Sequence, residues 1–325
     1  MSSSHRSPAR LLVVLALMLL AASCGSSASD TDAAATDETT TTTTTTDAAD
    51  ETTTTVADEA AAADTTEYPS RIVSLSATAT EMLFAIGAGD QVIAADSYSN
   101  YPAEAPTTEL SSFEPNLEAI AAEEPDLVVF SFDPGELATG LESVGIDAMF
   151  LPAAVALDDV YAQIADLGVA TGHEDEAAAV VADMRTRIDE IVAGVAAEGE
   201  PIRIYHELDD TFYSASSNAF IGQLYALFET TNIADEADAD GYGYPQLNPE
   251  YILEADPQLI VITDQVAYTP DDVAARPGWD AISAVQSGSV VVVDADIASR
   301  WGPRLPDFLE SIAAALAKVP VTAGS

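Results

Sequence analysis

The sequence predicts an α/β protein built from two related lobes bridged by one long helix. Three observations predict it. Short apolar strands alternate with helical patterns in both halves. One segment occurs twice with the same internal spacing. Between the halves lies a helix-periodic stretch with no proline.

The first half opens on a β-rich run over 71–76, followed by a helical pattern over 77–88 that runs out at Gly87 and Gly89. A second strand is expected at 92–95, a helix over 116–124, a stop at Pro125 and a continuous apolar strand over 127–132. Uninterrupted apolar strands alternating with helices imply a parallel sheet covered on both faces. Gly140 and Gly145 close a further helix before a strand at 148–151. The second half begins alike, with a strand over 202–207 and a helix over 218–228. A helix over 251–255, a stop at Pro257, strands at 259–263 and 290–293, and a closing helix over 306–317 follow.

The repeated segment ties the halves together. Glu118 and Ile120 lead to Pro125, Leu127 and Val129; Glu250 and Ile252 lead to Pro257, Leu259 and Val261. Residue types recur at identical offsets, which predicts an N-terminal lobe over 68–172 and a C-terminal lobe over 200–325. The connector, 173–199, carries Val180, Met184, Ile188, Ile191, Val192 and Val195 at helical spacing. A single helix between lobes is a stiff joint, so a shallow cleft with little relative motion is expected.

The N-terminal end is of a different kind. Arg6 and Arg10 precede an apolar run over 11–22. At about a dozen residues it is shorter than the roughly 20 that span a bilayer. A basic head, a short apolar core and small residues read as an export signal over 1–24. Its end, Leu20-Ala-Ala-Ser-Cys24, resembles a bacterial lipobox, in which the cysteine becomes the acylated N-terminus. Cys24 is the only cysteine, so no internal disulfide can form. Residues 25–67 are mostly Ser, Thr, Asp, Glu and Ala, with threonine unbroken over 39–46. Such a segment cannot bury enough surface to offset its ordering entropy and is expected to be a disordered stalk. As a flexible chain its ends would lie roughly 35–40 Å apart. The expected location is extracytoplasmic, lipid-anchored to the cell membrane.

The whole chain carries a formal charge of −45, and the body after the stalk holds 44 acidic against eight basic residues. That balance argues against nucleic acid, whose phosphates demand Lys and Arg. It fits solubility in a salty medium. Metal binding needs clustered imidazoles and carboxylates. After the leader, His173 and His206 are the only histidines, and their separation gives no ligand spacing. No nucleophile elbow, His-Glu-x-x-His, phosphate loop or dinucleotide fingerprint occurs. An enzyme is not expected; the distant alternative is a secreted, lipid-anchored hydrolase.

Taken together, residues 70–319 resemble the helical-backbone (class III) solute-binding proteins of ABC importers, in the group that carries cobalamin and ferric siderophores. The motifs are Arg71-Ile-Val-Ser-Leu-Ser76 with Ala77 to Glu81, Tyr98-Ser-Asn-Tyr-Pro102, and Asn116 to Ile120 followed by Pro125-Asp-Leu-Val128. The resemblance implies two Rossmann-like lobes joined by the long helix, with the ligand cleft between them. It also implies a ligand set: Ser76, Ala77, Tyr98, Tyr101, Phe113, Tyr244, Asp296, Arg300, Trp301 and Arg304. Tyr98, Tyr101, Tyr242, Tyr244 and Trp301 lie in loops with Ser, Asn, Gly and Pro, where a large ring has no element to hide behind. Aromatic faces from both lobes suit a wide, flat corrin with amide arms. An arginine pair suits an anionic ferric siderophore, the alternative ligand. Glu118 and Glu250, one per lobe near a helix start, fit the helix dipole. The resemblance implies that they meet arginines of the membrane permease. Cobalt or iron would arrive inside the ligand, so no cofactor is expected, and the protein is expected to act as a monomer.

Overall fold

The computed structural model describes residues 68–195 and 199–320. The export signal, Cys24 and the stalk expected over 25–67 lie outside the described residues.

The N-terminal lobe contains β1 (Ile72–Leu75), α1 (Ala77–Ala85), β2 (Val92–Ala95), α2 (Leu117–Ala122), β3 (Leu127–Phe130), α3 (Leu137–Ser143), β4 (Asp147–Phe150) and α4 (Leu157–Thr171). The connector is α5 (Glu174–Gly194). The C-terminal lobe follows with β5 (Arg203–His206), α6 (Phe220–Ala226), β6 (Thr231–Asn232), α7 (Pro249–Ala255), β7 (Leu259–Thr263), α8 (Pro270–Ala274), α9 (Ser283–Ser287), β8 (Val290–Val293), α10 (Ala295–Ser299) and α11 (Leu305–Leu316).

Both sheets are parallel and share one topology, β2-β1-β3-β4 in the first and β6-β5-β7-β8 in the second. Apolar residues cover both faces of the central strands. On one face Ile72, Leu127 and Val129 pack with α1 and α4; on the other Val73, Val128 and Phe130 pack with Ile120 and Leu141. In the second lobe Ile204, Leu259 and Val261 point to one core, and Tyr205, Ile260 and Ile262 to another.

The internal repeat runs deeper than the motif that revealed it. Asn116 and Asn248 cap α2 and α7, accepting from the Ala119 and Tyr251 amides. Glu124 and Asp256 both turn left-handed, at φ 51° and 45°. Arg71 Nε donates to the Glu124 carbonyl, while Arg203 Nε donates to the Ala255 and Asp256 carbonyls. Each arginine ties its lobe's first strand to the end of the helix that carries the repeated glutamate.

The connector is about 32 Å long at 1.5 Å per residue. It stops at Gly194, and Val195 is already extended, so the helix ends short of the 199 expected for the connector. It is not a bare rod, because α4 and α11 pack along it. A Cβ at Gly168 would lie 2.5 Å from the Ala177 Cβ, so α4 and α5 approach as closely as they do because that position is glycine. Ala177, Met184 and Ile188 of α5 bury into one continuous core shared by both lobes. Among the described residues no helix is long and apolar enough to cross a membrane.

Candidate functional site

The carboxyl ends of both sheets turn toward each other, which is where ligands bind in open α/β sheets. A cavity of about 330 Å³ lies there. Its walls come from Ala153 and Ala154 after β4, His206 at the end of β5, Thr263 at the end of β7, and Tyr244 and Trp301 from second-lobe loops. Hollows of 510 and 570 Å³ occur elsewhere. The smaller cavity is singled out by its place at the strand ends and its aromatic lining.

The loop bearing Tyr98 and Tyr101 is pinned by a buried hydroxyl network. Ser99 Oγ donates to Asp96 Oδ1 at 2.7 Å and lies 2.8 Å from Thr80 Oγ1, which donates to Ser74 Oγ. Tyr98 meets Phe113 edge-on, with centroids 5.4 Å apart, and Phe113 in turn meets Phe132 at 6.1 Å. All three rings are about half exposed. They form an aromatic platform on the first lobe. Phe132 was not among the expected ligand residues; the strand expected over 127–132 stops at Phe130, and Phe132 stands free beyond it.

On the second lobe Asp238 organises the tyrosine loop. It accepts from Ser216 Oγ, Asn218 Nδ2 and the Tyr242 and Gly243 amides. The Asn218 amide, then Ser216 and the backbone bonds, hold its carboxyl below the usual carboxylate range. Gly243 sits at φ 90° against Ala219, a conformation that favours glycine and brings Tyr244 to the cavity. Trp301 Nε1 donates to Gln163 Oε1 at 3.0 Å, which fixes the indole against α4.

The remaining expected residues are placed differently. Ser76 is buried, caps α1 by accepting from the Ala79 amide, and accepts from Ser131 Oγ; Ala77 beside it is half-buried. Arg300 and Arg304 do not line the cavity. Both bond Glu81, at 2.7 Å for Arg300 Nη1 and 2.8 and 2.5 Å for the two nitrogens of Arg304. Glu81 is 3% exposed and Arg300 9%. Burial would lower the Arg304 pKa, but the bonds to Glu81 outweigh it and hold the guanidinium charged. Arg304 also lies over the Tyr101 ring at 4.2 Å. Asp296 pairs with Arg300 and accepts from Asn100 Nδ2 at 2.7 Å. These residues form a polar clasp between the lobes, because Glu81 and Asn100 belong to the first and the arginines to the second. Of the ten residues expected at the ligand, Tyr244 and Trp301 line the cavity.

Glu118 and Glu250 are exposed in the first turns of α2 and α7, and neither is in a salt bridge among the described residues. Among the described residues no group of three or more His, Cys, Asp or Glu side chains could hold a metal ion.

Two parallel-sheet lobes joined by a long helix, with an aromatic cleft at the strand ends, define a class of solute receptor. The sequence pattern described as periplasmic binding protein matches residues 72–297, and the chain belongs to that family. It is 30% identical to the ABC transporter substrate-binding lipoprotein YvrC of Bacillus subtilis, over 75% of this chain and 79% of that one. It is also 30% identical to the vitamin B12-binding protein of Pectobacterium atrosepticum, over 79% of this chain and 92% of that one. Among solved structures, the periplasmic vitamin B12-binding protein BtuF of Vibrio cholerae superimposes with a TM-score of 0.62 at 26% identity, covering 77% of this chain and 97% of that one.

Proposed function

We propose that this chain is the extracytoplasmic solute-binding component of an ABC importer, that it binds a corrinoid between its lobes, and that it hands it to the permease. The observation that carries the ligand class is that each lobe carries aromatic rings in the loops beyond its strand ends. The Tyr98–Phe113–Phe132 platform stands on one lobe, and Tyr244 and Trp301 on the other. Flat aromatic faces with few polar groups suit a wide ring. The vitamin B12-binding relatives support the same choice. A ferric siderophore is the competing cargo. Arg300 and Arg304, the cations that would favour an anionic one, are already paired with Glu81 and Asp296.

In this reading cobalt arrives within the ligand and the protein holds no cofactor of its own. Acylation at Cys24 tethers a monomeric receptor near its permease. Glu118 and Glu250 meet the two halves of the permease, one lobe to each. Titration with cyanocobalamin, followed by quenching of tryptophan fluorescence, tests the ligand. Saturable binding is expected, and saturation by a ferric hydroxamate without any by cyanocobalamin would overturn the corrinoid assignment. Charge reversal at both Glu118 and Glu250 is expected to abolish uptake while leaving the Kd unchanged. Uptake that survives both reversals would remove the docking role.

A further inference from the structure

The loop between α10 and α11, residues 300–304, belongs to the second lobe yet lies on the first. Arg300 Nη1 and both Nε and Nη2 of Arg304 donate to Glu81 of α1, which is 3% exposed. A Cβ at Gly302 would lie 3.7 Å from Thr78 of the same helix. Trp301 sits between these contacts and donates from Nε1 to Gln163 Oε1 on α4. Gln163 is itself held, its Nε2 donating to the Pro152 carbonyl at 2.7 Å. Trp301 is half-buried rather than sealed, and it lines the cavity with Ala153 and Ala154.

Stability alone does not account for this arrangement. Replacing a buried salt bridge by apolar residues of similar volume is often neutral or stabilising. What three bonds to one buried side chain do supply is geometry: they pin the loop at both ends, at 300 and at 304, with the cavity-lining indole between. Arg300 has other partners. It pairs with Asp296 at 2.9 Å and donates to the Tyr98 carbonyl at 3.1 Å. Those contacts do not pass through Glu81, so its loss loosens the loop on α1 and leaves the Tyr98 loop attached.

We propose that Glu81 is a positioning residue of the solute site: it holds the 300–304 loop on the first lobe and so fixes the Trp301 ring that the solute meets. It acts on the solute only through that ring. A ring fixed in advance spares the solute the cost of ordering it on binding. Taking the solute to be a corrin on the indole face rests on the corrinoid reading.

The test uses the full chain. Glu81→Gln keeps the shape of the side chain but turns one acceptor oxygen into a donor that faces guanidinium N–H groups. The chain has two tryptophans, and Trp279 lies in a separate core with Tyr205. Labelling with 5-fluorotryptophan gives each a fluorine-19 resonance, and the one lost in Trp301→Phe belongs to Trp301. In Glu81→Gln the Trp301 resonance is expected to shift and broaden while that of Trp279 stays in place. A residue that served folding alone would leave both where they are in the folded chain, so an unmoved Trp301 resonance would overturn the proposal. The Kd for cyanocobalamin is expected to rise about tenfold in Glu81→Gln, the cost of ordering one or two side chains. Adding Glu81→Gln to Trp301→Phe is expected to weaken binding by no more than about twofold further, because the indole is the route of the effect. Losses that multiply would overturn that route. If Glu81→Gln does not fold, Arg304→Gln takes its place, since it removes two of the three bonds and leaves Arg300 on Glu81. The same movement of the Trp301 resonance is expected there, and its absence counts against the proposal equally. Failure of the wild-type chain to bind cyanocobalamin would instead sink the corrinoid reading, and the fluorine resonances would still decide the positioning role.

Discussion

At the scale of single residues, His206 gives up its charge to be buried. Its ring is neutral because burial holds its pKa at about 4, against about 6.5 for an exposed histidine. Between those values the unfolded chain binds a proton that the folded chain refuses. Stability therefore falls as pH drops from 6.5 toward 4 and is unaffected by this group above that window. The difference corresponds to about 3 kcal/mol. Urea unfolding of wild type and His206→Phe at pH 7, 5.5 and 4.5 checks it. The gap between the two curves should move in favour of the variant as pH falls, and a gap constant with pH would show that the histidine is protonated in the folded state. Comparing the two proteins is necessary because the many carboxylates titrate close by. Glu81 illustrates the opposite solution to burial. It recruits two guanidiniums, and the cost of burying the group is offset by short, partly bidentate bonds.

At the scale of elements, the short helices α2 and α7 depend on their ends. Each presents its glutamate from the first turn, and each has an asparagine cap plus an arginine that holds its last carbonyls. Asn116→Ala and Asn248→Ala should each cost about 1 kcal/mol, read as a lower urea midpoint with unchanged slope. If the repeat is as regular in energy as in geometry, the two losses will be similar, and one near zero would mark that helix as held by packing alone. The repeat itself was legible because it is a local pattern: a helix, a proline stop and a buried strand announce themselves within a dozen residues. The long connector was legible for the same reason. What stayed hidden is short or depends on distant partners. The helices α8, α9 and α10 have five residues each, and β6 has two, too few to show a period. The 15-residue α4 is the exception, a long helix whose buried face, Val160, Ile164 and Leu167, has ordinary helical spacing. At the site, Tyr244 and Trp301 could be expected from loop aromatics, but the partner of Arg300 and Arg304 lies more than 200 residues away in Glu81. Nothing near His206 in the chain reveals that Tyr225 claims one of its nitrogens.

At the scale of the whole molecule, the charge is the dominant fact. The chain carries 55 acidic residues against ten basic ones. Six of the body's arginines are already engaged in ion pairs, and Arg71 bonds backbone carbonyls. Few cations are left to offset the remaining carboxylates, so the compact state works against its own repulsion. Raising salt from 0.01 to 1 M shortens the screening length from about 30 to about 3 Å. The buried clasp at Glu81 is shielded from that change by its surroundings, whereas the exposed acids are not. The melting temperature should therefore rise with sodium chloride, by roughly 2–4 °C for each kcal/mol of repulsion relieved in a domain of this size. Sucrose at matched osmolality separates screening from general exclusion, since it strengthens burial without touching charge. An equal rise in sucrose, or none in salt, would show that self-repulsion is not what limits stability. Cyanocobalamin affinity should stay nearly flat across the same series, because the cavity is lined by neutral groups and its nearest guanidiniums are already paired. A steep salt dependence of the Kd would point to a free charge at the ligand and so back to an anionic cargo.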